Sequence, residues 1–231
     1  ALTLAPSSDD GEILGRLGNA LSNAGRGAEA ADAYLASARG ASDARALELR
    51  RKAAEQLLIS GHAERGMEVV RLVMGSLGMK LPQSREAAIL SFLAGRARLK
   101  LRGMDFRERA EADIPEEELL RIDAAWAVSV GLALVDPIRS TDAQCKHLLL
   151  ALDAGEPYRI ARALAVEVTY VGLSGPKAAT RTAELVERSL DLAERIRHPH
   201  ALGLATTMSG AARYLAGRWK ESIEALDRGA R

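Results

Sequence analysis

Apolar residues recur along the whole chain with the spacing of an amphipathic helix, and the alternation that is typical of a strand is hard to find. In the first segment Ile13, Leu14, Leu17 and Leu21 lie on one helical face. Glycine or proline interrupts the pattern at intervals, and each interruption predicts the end of one helix or the start of the next. The sequence therefore predicts an all-α protein of about eleven helices joined by short turns.

The helix boundaries follow from local signals. Ser84 has a side chain that caps helices, and Pro115 before three glutamates is typical of a helix start. The helix after Pro115 is predicted to reach Val135, and the polar segment 103–114 to connect two helices. Further breaks are predicted at 23–27, 61–62, 80–82, 136–137, 155–157, 174–176, 198–199 and 217–218.

The breaks recur at a nearly constant interval. Turns at Gly25, Gly61, Gly103 and Asp136 are 36, 42 and 33 residues apart, close to the roughly 34-residue period of tetratricopeptide repeats. In the first unit Leu17-Gly18, Leu21, Ala30 and Tyr34 follow the order of small and large residues in that repeat. The spacing predicts a right-handed α-solenoid of tetratricopeptide-like antiparallel helix pairs, and the alternative is a non-repetitive helical bundle.

The same pattern predicts the domain organisation. Residues 1–9 are expected to be a disordered or added N-terminal segment, and residues 10–231 a single solenoid. Within it, 10–82 form two regular pairs, 83–135 a degenerate pair with the polar insertion 103–114, and 136–231 further pairs. The last helix carries Ile223 and Leu226 with no following repeat to cover them, so the array is expected to be truncated at its C-terminus.

Composition narrows the classes of partner. Hydrophobic residues make up 48% of the chain and aromatic residues only 3%, and the net charge is +1, which does not indicate a nucleic-acid-binding domain. The apolar run 124–135 is shorter than the roughly 20 residues of a membrane span. The single cysteine, Cys145, fits a reducing compartment. These features predict a cytoplasmic protein that binds neither nucleic acid nor membranes.

No arrangement of residues indicates catalysis. The segment 75–80 resembles a phosphate-binding loop but lacks the Gly-Lys-Ser/Thr ending. The pairs His198/His200 and Cys145/His147 lack the third ligand that a zinc site needs. The sequence predicts no catalytic, cofactor-binding or metal-binding residue, and therefore a chain that is not an enzyme.

Two sets of residues are candidates for binding. If the first helix of each pair lines a concave groove, Asn19, Asn23, Arg51 and Glu55 are placed to bind a peptide. The densest basic stretch could bind an anionic partner, or it could be a solvated face that pairs with acids on adjacent helices. Its residues are Arg96, Arg98, Lys100 and Arg102.

Three stretches of the chain, 57–82, 101–123 and 147–163, are similar over their whole length to a known family. The similarity is most specific at Phe106-Arg-Glu-Arg and Gly155-Glu-Pro-Tyr. They resemble the C-terminal helical-repeat region of large bacterial serine/threonine protein kinases that carry a predicted ATPase domain between kinase and repeats. The resemblance implies a regulatory tail of a signalling kinase. The motifs of the kinase itself are absent from these residues, so no kinase site is transferred to this chain.

Together these observations predict a non-catalytic protein-interaction or regulatory scaffold without a cofactor. Its partner would be a protein or peptide, such as another domain of the same parent chain. The exposed last helix would also allow a weak homodimer. The main alternative is a small-molecule sensor solenoid, as in helical-repeat ATPases or transcription activators. A stand-alone enzyme or an RNA-reading repeat is the third class.

Overall fold

The computed structural model describes residues 8–133 and 135–230, and over these residues the protein consists of helices and turns without a strand. Helices account for 82% of the structure, so the predicted all-α class is confirmed. Most of the segment 1–9, which was expected to be disordered, lies outside the described residues, and the first helix begins at Ser8.

Eleven α-helices run through the described part of the chain. They are α1 (Ser8–Asn23), α2 (Gly27–Ser37), α3 (Asp43–Ile59), α4 (Ala63–Ser76), α5 (Arg85–Arg102), α6 (Glu116–Gly131), α7 (Pro137–Ala154), α8 (Pro157–Gly172), α9 (Ala179–Ile196), α10 (Pro199–Leu215) and α11 (Trp219–Gly229). Short 3₁₀ helices occupy Ala38–Gly40, Glu111–Asp113 and Gly175–Ala178.

Helix ends coincide with the local signals in the sequence. The Ser84 hydroxyl accepts a hydrogen bond from the backbone N–H of Ala87 at 3.1 Å, and the Glu156 carboxylate caps α8 in the same way. Gly25 and Gly61 end α1 and α3 with φ values of 73° and 84°, a left-handed conformation that glycine adopts without steric cost.

One predicted boundary is wrong, because α6 ends at Gly131 rather than at Val135. The backbone N–H groups of Val135 and Asp136 both donate to the Leu132 carbonyl, at 3.1 and 2.9 Å, and form a turn. Pro137 follows, and the residue before a proline is disfavoured in the helical conformation. The proline therefore prevents the helix from continuing through Asp136, and the turn at Leu132 ends it earlier.

The chain divides into two compact units. Unit 1 contains residues 1–94 and 119–143, and unit 2 contains residues 95–118 and 144–231. Residues of α5 and of α7 occur in both units, because the divisions fall inside these helices.

In unit 1, α1 packs on α2, α2 on α3 and α3 on α4. The largest side chains of its core include Tyr34, Leu49 and Leu57. A Cβ atom at Gly18 would lie 2.5 Å from the Tyr34 ring, so the absent side chain makes room for the aromatic ring. The repeat pattern predicts this kind of contact, in which a small residue of one helix faces a large residue of the next.

In unit 2, α8 packs on α9 and α10, and α10 packs on α11. Leu148, Ile160 and Leu164 are fully buried. Alanine is frequent among the buried residues of both units, and at many positions it has no exposed surface: Ala30, Ala31, Ala53, Ala161, Ala163, Ala165, Ala193, Ala201 and Ala225. These small residues allow neighbouring helices to pack closely.

No helix within the described residues has both the length and the apolar character needed to cross a membrane.

Candidate functional site

Unit 2 contains a groove of about 710 Å³ between α9 and α10. The turn around Gly175 and Pro176 closes one end, and Arg218 lies at the start of α11 beside the other wall. On α9 the lining residues follow one helical face: Ala179, Thr182, Ala183, Val186, Glu187, Leu190, Asp191 and Glu194. The opposite wall is formed by Ser209, Ala212, Arg213, Leu215 and Ala216.

The groove exists because α9 has two apolar faces. Leu185, Leu192 and Ala193 are buried in the core of unit 2. Val186 and Leu190 lie on the neighbouring face, line the groove and stay partly exposed. Helix α9 packs on α8 and also contacts α10, yet Val186 and Leu190 stay partly exposed, so α9 presents an apolar strip to solvent.

An acidic edge runs beside this apolar strip. Glu187, Asp191 and Glu194 are exposed on α9, and no side chain in the described part of the protein pairs with their carboxylates. Two of the three arginines on the same helix, Arg188 and Arg195, bind groups outside the groove. Arg188 donates to the Met104 carbonyl at 2.6 Å, and Arg195 forms an ion pair with Glu108.

The basic groups on the opposite wall already have partners inside the chain. The Arg213 guanidinium donates to the Ser209 hydroxyl at 2.8 Å, and Arg218 forms an ion pair with Glu221. Arg218 is neutralised by Glu221, but the Ser209 hydroxyl leaves the charge of Arg213 in place. Three carboxylates of α9 therefore face one guanidinium, and the lining of the groove is net negative.

Hydrogen bonds hold the polar segment 103–114 against the other residues of unit 2. The backbone N–H of Arg109 donates to the Gly155 carbonyl at 3.0 Å, and Arg159 pairs with Glu111 at 3.0 Å. The hydrogen bond from Arg195 lowers the pKa of the Glu108 carboxyl, although burial acts in the opposite direction. The segment therefore holds Arg188 and Arg195 away from the groove.

The structure places three of the four predicted peptide-groove residues in two hydrogen-bond networks. Arg51 is buried and donates to Glu48 at 2.7 Å and to Glu55 at 2.8 Å. Burial lowers the pKa of Arg51, but the hydrogen bond and charge of Glu48 and the charge of Glu55 outweigh it and raise the pKa. Trp126 donates its indole N–H to Glu55 at 3.2 Å.

Asn19 belongs to the second network, in which its side-chain oxygen accepts a hydrogen bond from the Tyr34 hydroxyl at 2.8 Å. Asn23 is exposed at the last residue of α1. Arg51 and Glu55 thus lie together, and neither is hydrogen-bonded to Asn19 or Asn23. Peptide binding by this set stays a prediction.

The arginines of the predicted anionic-partner patch face acids on neighbouring helices. Arg96 forms an ion pair with the buried Glu167. Arg98 and Arg102 both reach Asp153, at 3.2 and 2.6 Å, while Lys100 is exposed. This arrangement corresponds to the solvated face that was the alternative for the basic stretch, and binding of an anionic partner there stays a prediction.

Residues 8–133 and 135–230 contain no cluster of three or more histidine, cysteine, aspartate or glutamate side chains placed to hold a metal ion. Cys145, the single cysteine of the chain, is buried. His198 stacks on Tyr158 with ring centroids 4.2 Å apart, and the Tyr158 hydroxyl is 3.1 Å from Nδ1 of His200.

Sequence reasoning did not find the groove between α9 and α10. A signal was present, because Leu185 and Leu192 on one face and Val186 and Leu190 on the other make α9 apolar over more surface than one neighbour can cover. Comparisons of the chain with protein-family models, with curated proteins and with solved structures found no match.

Proposed function

We propose that this chain is a non-catalytic protein-interaction or regulatory domain that docks a segment of a partner protein in the groove between α9 and α10. One observation carries the proposal. The groove combines an apolar strip on α9 with a row of carboxylates, Glu187, Asp191 and Glu194, that no described residue neutralises. In the proposal, the helices stack as tetratricopeptide-like pairs in a right-handed solenoid.

The chemistry of the groove defines its partner. From Ala179 to Glu194 the lining face of α9 is about 22 Å long, which corresponds to roughly four helical turns. A helix of about 15 residues fits this length. Its apolar residues, spaced three and four apart, would contact Val186 and Leu190, and its lysines or arginines would pair with the carboxylates of α9.

The source of such a segment follows from the resemblance to helical-repeat regions of bacterial serine/threonine kinases with an ATPase domain. In that setting the segment belongs to another domain of the same parent protein or to a protein that the kinase regulates. The setting is cytoplasmic, which agrees with a chain whose single cysteine, Cys145, is buried.

Binding of a synthetic peptide tests the proposal. The probe is a fluorescein-labelled 15-residue amphipathic helix with leucines on one face and lysines beside them, and fluorescence anisotropy measures its affinity. We expect the double variant Glu187→Lys/Asp191→Lys to bind the peptide about tenfold more weakly, because like charges would meet in the groove.

Glu184→Lys is the matched control, since Glu184 is also exposed on α9 but does not line the groove. Its affinity for the peptide should stay within about twofold of wild type. Equal weakening by both variants would show a long-range charge effect without docking in the groove, and no binding to wild type would overturn the proposed partner.

A small-molecule sensor is the second candidate, and the size of the groove favours it. A volume of about 710 Å³ lies within the roughly 300–1,000 Å³ of small-molecule pockets. A thermal-shift screen of metabolites tests this function. A compound that raises the melting temperature of wild type but not of Leu190→Glu would support it, and a screen without such a compound would remove it.

A further inference from the structure

We infer that a second groove, formed by unit 1 alone, docks an acidic amphipathic helix of a partner protein. This groove lies along α4 and has a volume of about 930 Å³. Its other walls are the segment 79–83, which follows α4, and the turn between α6 and α7. We call it the methionine groove.

Methionines are frequent among the apolar residues that line the methionine groove, where Met67 and Met79 are partly exposed and Met74 is buried. Met67, Met74 and Met79 all line it, together with Leu81 and Leu132. They are three of the five methionines of the chain. Methionine is unbranched, flexible and polarisable, and surfaces rich in it accommodate apolar side chains of different shapes.

The shape of the groove fits a helix. Ala63, Met67, Arg71, Met74 and Gly75 share one face of α4, and this face is about 18 Å long. A partner helix of about 12 residues covers that length. No side chain at Gly75 narrows the groove, and a Cβ atom placed there would touch nothing within 4 Å.

Hydrogen bonds hold the walls in place before any partner arrives. The Arg139 guanidinium donates to the carbonyl oxygens of Pro82 and Gln83, at 2.9 and 2.8 Å. Arg121 donates to the Leu77 carbonyl at 3.1 Å, where α4 ends. A groove with fixed walls needs little ordering on binding, which favours affinity.

The charge of the groove selects an acidic partner. Arg71 is exposed near the middle of the α4 face, and no side chain of the described residues pairs with it. Lys80 lines the groove on the segment after α4. The one carboxylate among the lining residues, Asp136, forms an ion pair with Arg139. The guanidinium of Arg71 therefore leaves a positive charge on the α4 face, which attracts glutamates or aspartates on a docked helix.

The inference does not rest on the proposed function. The methionine groove is lined only by residues of unit 1 and the groove between α9 and α10 only by residues of unit 2. The two grooves also differ in charge, so an acidic and a basic peptide report on them separately.

Methyl NMR of the whole chain labelled with ¹³C at its methionine methyl groups tests the inference. The probe is a 14-residue amphipathic peptide with leucines on one face and glutamates beside them, and single Met→Leu variants assign the five signals. We expect the signals of Met67, Met74 and Met79 to shift during titration. Met104 and Met208, which belong to unit 2, serve as internal controls and should not shift.

A charge reversal tests the role of Arg71. We expect Arg71→Glu to weaken binding of the glutamate peptide at least tenfold and to gain affinity for the same peptide with lysines. Arg50→Glu is the control, since Arg50 is exposed on α3 outside the groove, and it should change the affinity less than twofold. Circular dichroism establishes that both variants are folded.

Three outcomes would overturn the inference. The first is a shift of Met104 and Met208 without the groove methionines, and the second is an unchanged affinity of Arg71→Glu. The third is a concentration-dependent shift of the groove methionines without peptide, because this would make a second copy of the chain the occupant. Loss of lysine-peptide binding in Glu187→Lys/Asp191→Lys, with glutamate-peptide binding intact, would leave the inference standing.

Discussion

Many charged residues of this protein form ion pairs with other residues of the same chain. Arg51 shows this most clearly, because Glu48 and Glu55 surround its buried guanidinium. The spacing of three and four residues places these acids beside it on α3, so the network could have been predicted from the sequence. The partners of Arg96 and Arg102 could not, since Glu167 and Asp153 are 71 and 51 residues away in the chain.

Ionisation of Asp136 is expected to make the stability of the fold depend on pH. Its side chain caps α7 by accepting the backbone N–H of Arg139 at 3.1 Å. Burial raises the pKa of the Asp136 carboxyl, but the hydrogen bonds and charge of Arg139 outweigh it, and the pKa is lower than usual. The ionised form is therefore bound more favourably in the folded state.

We expect Asp136→Ala to lower the free energy of unfolding by about 1 kcal/mol at pH 7. The stabilisation by Asp136 is complete above its unfolded pKa of about 4 and is lost as the pH falls through the lower folded pKa. The deficit of the variant should therefore shrink below about pH 4. Urea denaturation followed by circular dichroism at several pH values measures it.

Ser42→Ala is the matched control for this experiment. Ser42 precedes α3 in the same position, but its side chain makes no capping hydrogen bond. The control should change stability by less than about 0.5 kcal/mol. A deficit of Asp136→Ala that stays constant down to pH 2 would show that ionisation of Asp136 does not contribute.

Among the elements, the polar segment 103–114 packs so closely on the turn after α7 that this turn leaves no room for a side chain at Gly155. Gly155 has a φ of 86°, and a Cβ atom there would lie 2.2 Å from the Arg107 carbonyl oxygen. The Gly155 carbonyl also accepts the N–H of Arg109. A side chain at this position would therefore disturb both the turn and the segment packed on it.

We expect Gly155→Ala to cost about 1–3 kcal/mol of stability and to release the segment. Limited trypsin digestion should then cut faster after Arg107 and Arg109. Gly61→Ala is the control, because Gly61 has nearly the same φ of 84° but open space around its missing side chain. Unchanged cleavage after Arg107 in Gly155→Ala, or equal acceleration in both variants, would contradict the role of Gly155.

Most helix boundaries could be predicted from the sequence because local residues determine them. Ser84, Gly25 and Gly61 end or begin helices where the pattern indicated. The end of α6 was placed too late, because the residues before Asp136 are apolar and continue the helical pattern while the backbone already turns at Leu132. A hydrophobic pattern alone does not show where a turn competes with the helix.

The grooves could not be predicted in the same way. Each depends on which face of α4 or α9 is left uncovered after the helices pack, and packing brings together residues far apart in the chain, such as Met67 and Leu132. The sequence of α9 indicated apolar residues on two faces of the helix. It did not indicate that α10 forms the opposite wall of the groove. Sequence reasoning instead singled out Asn19 and Arg51, whose polar groups bond to neighbours within unit 1.

For the whole molecule, the two compact units are not consecutive pieces of chain. Residues 95–118 belong to unit 2, although residues 119–143 return to unit 1. The second half of α5 is bonded to later residues, through Arg96 with Glu167 and Arg102 with Asp153. A single cut therefore cannot separate the units without leaving one of them incomplete.

We expect a chain that ends after Ala143 to lose more helix than the deleted residues contain, because residues 95–102 lose the packing of unit 2. Circular dichroism at 222 nm, converted to the number of helical residues, measures this loss. A chain that ends after Gly217 is the control, since it lacks only α11 and the residues after it, and its loss should match that helix. If each shortened chain loses only as many helical residues as were deleted from it, the prediction is contradicted.

The alanines of the interior have a consequence for how this sequence can vary. Positions such as Ala53, Ala163 and Ala193 are wholly enclosed, and alanine offers almost no volume to remove. Larger residues at such positions strain a packed interior unless a facing side chain becomes smaller at the same time. Random mutagenesis should therefore recover replacements here as compensating pairs across two helices and seldom as single changes.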